Sequence, residues 1–313
     1  MRADRTKPPG LDLLAGAVDS HVHACPHLNP RSIDVLEAVR QAAAAGMRGL
    51  GLMDNFLNSS GYAALAMREL GDLGVTVFGG LIMEPPAGGL SLAAVDAALG
   101  YGYGPGTGAR FVSLPTHHTA HVARAEGRSP VYVESCLAIP ERGGLPDPLP
   151  AILDRIAAAD VVLETGHLAA AEALRVVEAA GRRGVARILV PANGYPEDAV
   201  RALVEAGAVI ELSFFPLTHA TQVGLTHVDR EAHRIGAVSL EDTVRAIRAA
   251  GAARTIVNSD AGVYLLPPPV EALREFLLLL ETAGIDRHDL RTMTAQVPAQ
   301  LFGLTAELPR AGP

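Results

Sequence analysis

Eight times along the chain a short run rich in Val, Ile, Leu and Phe is followed by an alanine-rich stretch with helical spacing. This alternation constrains the fold more than any other feature of the sequence. The runs are GAVDSHVHA, GLGLMDNF, VTVFGGLIME, ARFVSLPTHH, DVVLETGH, RILVPANG, AVIELSFF and RTIVNSDAG. The stretches behind them include SIDVLEAVRQAAAAG, which Gly46 closes as a C-cap, and PVEALREFLLLLETAG. Apolar strands alternating with amphipathic helices need a parallel sheet whose outer face the helices cover. Eight such units in 313 residues predict an α/β fold, a single (β/α)8 barrel rather than a doubly wound sheet. The barrel is expected over residues 17–303, with a tail or short lead-in over 1–16 and a second tail over 304–313. Two connections are long, 117–147 and 216–238, and both fall on the C-terminal face of the barrel. Long loops there read as lids or binding loops, or else as surface insertions or contacts between copies.

Composition removes several classes of function. Lysine occurs once, at Lys7, so neither a Schiff-base lysine nor a carbamylated lysine bridging two metals is available within the barrel. A net charge of −8 with no basic run argues against a nucleic-acid partner. No stretch reaches the roughly 18 apolar residues of a membrane helix, and MRADRTKPPG lacks the apolar segment of a secretory signal. Two cysteines, Cys25 and Cys136, give no disulfide framework. The expectation is a cytoplasmic protein that meets a small molecule and neither a membrane nor a nucleic acid.

Ligand-type residues gather at the C-terminal ends of the runs. His21 and His23 close the first, and alternate residues of a strand point to one face, so both imidazoles are placed to hold one ion. Asp19 falls on that same face one step deeper, which suits a supporting role. Asp54 and Asn55 end the second run, Glu84 the third, and Thr116, His117 and His118 the fourth. Glu164, Thr165 and His167 end the fifth, Asn193 the sixth, and Asn258, Ser259 and Asp260 the eighth. One hydrogen-bonded core histidine explains any single position but not their convergence on one barrel mouth. His27 lies beyond its strand without a partner in the pattern. Cys25 reads as a small packed residue, and the glycines of YGYGPGTG as a flexible connection without the Lys-Ser/Thr ending of a phosphate loop. His121, His219, His227 and His233 fall in the two long loops and are expected to be exposed.

The order of these residues resembles the amidohydrolase superfamily of metal-dependent barrel hydrolases. The pair in DSHVHA, the histidine in ETGH and the aspartate in NSDAG match its strand-one, strand-five and strand-eight positions, and MTAQVPAQLFGL is similar to its last helix. The resemblance covers residues 17–303 and implies a metal site of His21, His23, His167 and Asp260. That donor set suits one divalent ion, zinc first, with manganese, iron or nickel as alternatives. The ion would lower the pKa of water toward about 7, with Asp260 taking its proton and passing it to the leaving group. Two departures stand out. Strand four offers His117 and His118 where two-metal members carry a bridging lysine or glutamate, and strand six offers Asn193 in place of a histidine. One metal is therefore expected; if there were a second, Glu84, Glu164, His117 and His118 would be its ligands. His117 or His118 is expected to replace the missing carbonyl-polarising group, or Asn193 to donate a hydrogen bond through its amide. Arg31, Asn55, Glu84, Glu164 and Asn193 are the candidates for substrate contact. The implied reaction is hydrolysis of a C–N or C–O bond in a small cyclic amide, lactone, amide or ester. Nonoxidative decarboxylation on the same mononuclear barrel, and a catalytically weak ligand-binding homologue, are the alternatives. Barrels of this kind often pair, so a homodimer is compatible with the sequence.

Overall fold

The computed structural model describes residues 8–222, 225–226, 232–233 and 236–304. Eight parallel strands follow one another in chain order around a nearly closed barrel: β1 (Val18–Val22), β2 (Gly49–Leu52), β3 (Thr76–Ile82), β4 (Phe111–Ser113), β5 (Val162–Glu164), β6 (Ile188–Pro191), β7 (Val209–Ser213) and β8 (Thr255–Asn258). Every neighbouring pair from β1 to β8 is laddered. Between β8 and β1 the described residues form a single parallel bridge, Val22 with Ala261.

Strand parity sorts the side chains into two cores. Residues such as Leu50, Val77, Val112, Leu163, Val190, Ile210 and Val257 face outward against the helices. In chain order the helices begin with α1 (Val35–Ala44), α2 (Ser60–Leu70), α3 (Leu92–Gly100), α4 (Ala120–Ala125), α5 (Pro130–Ser135), α6 (Leu149–Ala159), α7 (Ala170–Arg182), α8 (Glu197–Glu205), α9 (Leu240–Ala250) and α10 (Pro269–Thr282); α4 and α5 form a small cluster of their own around Ala120, Ala123 and Cys136. The alternate residues Val18, Phe78, Phe111, Val162, Leu189, Val209 and Ile256 face inward and fill the floor with Phe302. Phe302 stacks on Phe78 with ring centroids 4.7 Å apart, immediately after α12 (Val297–Leu301), which a π-helical turn over Thr292–Gln296 joins to α11 (Arg287–Arg291). Three arginines from the starts of β2, β4 and β6 cap this end. Arg48 donates to the carbonyl of Leu304, Arg110 to that of Phe302 at 3.1 Å, and Arg187 to that of Leu301 at 3.0 Å. They satisfy carbonyls that a helix C-terminus leaves without partners.

The lead-in is packed. Leu11–Leu13 form a short 3-10 turn, and Leu13 and Leu14 are buried in the outer core, while residues 1–7 and 305–313 lie outside the described residues. The 117–147 connection is not structureless; it carries α4 and α5, whose N-caps Thr119 and Ser129 accept from Val122 N and Tyr132 N. In 216–238 the described parts are short 3-10 turns and a two-residue antiparallel ladder, Leu225–Thr226 with Ala232–His233; His227 lies outside the described residues. Among the described residues no helix is long and apolar enough to cross a membrane.

Candidate metal centre

The site begins with an irregularity in β1. Val18 pairs with Gly49 and Asp19 with Leu50, but Val22 pairs with Leu52, so β1 carries one extra residue between Asp19 and Val22. A bulge of this kind switches the face on which later side chains emerge. Val18 accordingly belongs to the inner floor and Val22 to the outer core. His21 and His23 turn into the barrel, whereas Asp19 is set off from them and not on their face as strict alternation predicts. Its Oδ1 accepts from Ser259 N at 3.0 Å, which ties β1 to the segment after β8.

Nε2 of His21 and Nε2 of His23 each lie 3.3 Å from Oδ1 of Asp260. One atom from each of these residues falls within 4.8 Å of the others, a cluster that could hold a metal ion. Backbone geometry holds it. Asp260 has φ of 45°, a left-handed conformation that costs a non-glycine residue of order 1–3 kcal/mol and persists only where its surroundings impose it. Here the imposing contacts are Ser259 Oγ, which accepts from Ala261 N at 3.1 Å, and the hydrogen bond from His23 N to Ala261 O at 2.8 Å. Gly262, at φ 131°, follows; a Cβ there would sit 1.7 Å from the carbonyl oxygen of His23.

His21 also meets Glu211, an inward residue of β7, whose Oε1 is 2.9 Å from Nδ1. The same oxygen accepts from Nδ2 of Asn258, which reaches Ser20 Oγ at 3.2 Å. Without an ion, burial would push the His21 imidazole down, but the carboxylates of Asp260 and Glu211 outweigh it and raise the group to about 10. Burial drives Glu164, next to Glu211, up to about 8, and Asp19 to about 6. Burial and the nearby Arg31 hold His23 well below its usual range, a neutral imidazole ready to donate a lone pair. The donor set fits a divalent ion: two imidazole nitrogens and one carboxylate oxygen converge, and Glu164 and Glu211 each bury an oxygen without a hydrogen bond beside them.

A cavity of 540 Å³ opens over the cluster, lined by His21, His117, His167, Asn193, Glu211 and Asp260 among others. His167 lines the same cavity outside the tight cluster of three, close enough for Asp260 and His21 to act on it, with its ring 5.9 Å from that of His117. Gly166, at φ 59°, makes the turn that brings it there; a Cβ would lie 2.2 Å from Pro115 O. Asn193 accepts from Ser213 N at 3.1 Å through Oδ1, so its Nδ2 amide is the part left for a substrate.

Three expected site residues, His118, Glu84 and Asn55, are placed elsewhere. The imidazole of His118 meets Ser135 Oγ at 3.3 Å and the Tyr132 ring, and lines a separate cavity with Met83 and Cys136. His117 and His118 are adjacent and face different cavities. Glu84 is fully buried as a clamp for the turn after β4, accepting from the backbone amides of Thr116, His117 and His118 and from Thr116 Oγ1. Asn55 donates to Thr116 Oγ1 at 2.9 Å within the same buried network. Arg31 stays beside the cluster, where its charge acts on both His23 and Asp260; it donates to Nε2 of His27 at 2.8 Å, and burial pulls its guanidinium down to about 10. His27 thus has a partner after all. Glu211 was not among the expected residues. Its signal was a single acid inside AVIELSFF, at the parity of Val209, which faces inward.

The barrel is similar in fold to solved structures of several hydrolases. It superposes on a probable dipeptidase, PvdM, from Pseudomonas aeruginosa with a TM-score of 0.58 at 12% identity, covering 94% of this chain and 96% of that one. An amidohydrolase from the same organism gives 0.58 at 8% identity, over 93% and 97%. A mutant organophosphorus hydrolase from Deinococcus radiodurans gives 0.54 at 15% identity, over 86% and 83%. At these identities the likeness is one of fold. No curated protein matches the chain by sequence. A family model does match, over residues 16–211, more than half of the chain, which therefore belongs to the family of unknown function DUF6282.

Proposed function

We propose that this protein is a metal-dependent hydrolase that cleaves a C–N or C–O bond in a small cyclic amide, lactone, amide or ester. The observation that carries the proposal is the convergence of His21 Nε2, His23 Nε2 and Asp260 Oδ1 beside a substrate-sized cavity. The names of the similar structures, a dipeptidase, an amidohydrolase and an organophosphorus hydrolase, support the same class. His21, His23 and Asp260 would hold one ion, zinc by the chemistry of the donors, with His167 as the fourth group. Such an ion supplies Lewis acidity and lowers the pKa of water toward about 7.

The chain's own residues supply the rest. Asp260, raised by burial, holds and returns a proton at the cluster. His117, lining the same cavity, donates to the substrate oxygen as negative charge grows there, in place of the absent strand-six histidine. The Nδ2 amide of Asn193 orients the substrate from β6. Val122, Leu168, Pro216 and Val238 make apolar walls that limit water around the reacting bond.

Elemental analysis of protein prepared without chelator, with product analysis in 18O-water, tests this. About one equivalent of metal per chain is expected, with 18O in the acid product of a lactone or ester panel. His23→Ala should lose the metal and on the order of 10³-fold in rate. Release of CO2 without 18O incorporation would instead identify a lyase. A metal-free wild type, or a His23→Ala variant of unchanged rate, would overturn the proposal.

A further inference from the structure

Glu211 plays no part in the chemistry set out above, yet its surroundings give it a task. A carboxylate inside the inner row of a barrel is costly to bury unless a partner needs it there. Its Oε1 takes two contacts, from His21 Nδ1 on β1 and from Asn258 Nδ2 on β8, and Asn258 continues to Ser20 on β1. One carboxylate thus ties β7, β8 and β1 together. It does so at the seam where β8 and β1 share a bridge rather than a ladder among the described residues. The metal cluster straddles that seam, with His21 and His23 on one side and Asp260 on the other.

We infer that Glu211 is a positioning residue for the metal centre. By accepting from Nδ1–H of His21 it fixes the tautomer whose Nε2 lone pair faces Asp260 and His23. Through Asn258 it also sets the spacing across the β8–β1 seam. An imidazole without this restraint divides between two tautomers and two ring orientations, of which one presents Nε2 to the ion. A carboxylate on the far nitrogen further strengthens Nε2 as a donor. Oε2 of Glu211 makes no hydrogen bond among the described residues, so the Oε1 contacts are the polar restraints on its place.

This inference rests on the metal reading of the site, and its test separates the two. Metal-free wild type, Glu211→Gln, Glu211→Asp and Asn258→Ala are each titrated with Zn²⁺ against a chromophoric chelator, and the His21 tautomer is read from imidazole 15N shifts of the zinc-loaded proteins. Glu211→Gln should lose about 10–100-fold in zinc affinity and shift His21 toward a tautomer mixture, with Glu211→Asp recovering part of both. Asn258→Ala, which leaves the carboxylate but frees it, should lose affinity by a smaller factor; it decides the matter if Glu211→Gln fails to fold. Affinities within about twofold of wild type, or an unchanged Nδ1–H tautomer in Glu211→Gln, would overturn the role. A wild type that takes up no zinc removes the metal reading itself. A zinc-binding wild type with an indifferent Glu211→Gln removes the positioning role alone.

Discussion

The two ends of the barrel interior are built from the same eight strands by opposite rules. At the floor, inward residues are apolar and interlock: Val18, Phe78, Phe111, Val162, Leu189, Val209 and Ile256 close on Phe302. One layer higher, the inward residues of five strands are Ser20, Ser113, Glu164, Glu211 and Asn258, all buried and polar. The floor gains stability by removing carbon from water, at about 25 cal/mol per Å². The upper layer spends part of it, holding carboxylates and imidazoles where water cannot screen them. The contrast teaches that stability and chemistry are separated along the barrel axis, two residues apart on β1, β4, β5, β7 and β8.

The largest test of that separation is at the floor. Phe111→Ala should cost about 3–5 kcal/mol in chemical denaturation while leaving metal affinity intact in the protein that remains folded. A comparable loss of metal affinity would show that the two layers are not independent.

The upper layer is probed by pH. Glu164 titrates near 8 in the folded chain against 4.5 as a free side chain, so between these values the native state holds a proton that the unfolded chain has lost. Its contribution is complete below 4.5 and is lost as pH rises through 8. His21, raised from 6.5 to about 10, acts in the same direction, complete below 6.5 and lost toward 10. Metal-free protein should therefore lose stability as pH rises from 5 to 9, and Glu164→Gln should flatten that decline. A Glu164→Gln profile parallel to wild type would place the buried charge elsewhere. The smallest expected effect is at His118, whose imidazole faces Ser135: His118→Ala should keep the hydrolytic rate within about twofold, and a larger loss would return that residue to the site.

Much of this was legible in the residues. The eight runs define the strands because an inward and an outward core both demand apolar side chains, leaving turns and strand ends to the polar ones. The convergence of His21, His23 and Asp260 was legible because strand ends meet at one mouth whatever the details. What failed was parity. The extra residue in β1 leaves no mark in VDSHVHA, so alternation put Asp19 beside the histidines when the chain sets it apart. His117 and His118 diverge because adjacent residues beyond a short strand leave in different directions, and three residues of β4 are too few to fix the phase. Glu84 looked like a site residue for the reason that it is acidic at a strand end; only the four donors around it reveal a clamp. Glu211 hid in the middle of a run, two residues before the strand end where ligands were sought.

The bulge in β1 has a consequence for how this chain can vary. A strand repeats every two residues, so the addition or loss of one residue inverts its faces. Between Asp19 and Val22 the chain has in effect already undergone such a change, and it is what turns two histidines inward. Removing one residue there would restore a regular strand without touching the floor, and would aim the imidazoles at the surrounding helices. The length of this five-residue strand is therefore tied to the inward placing of the two histidines more tightly than its composition is.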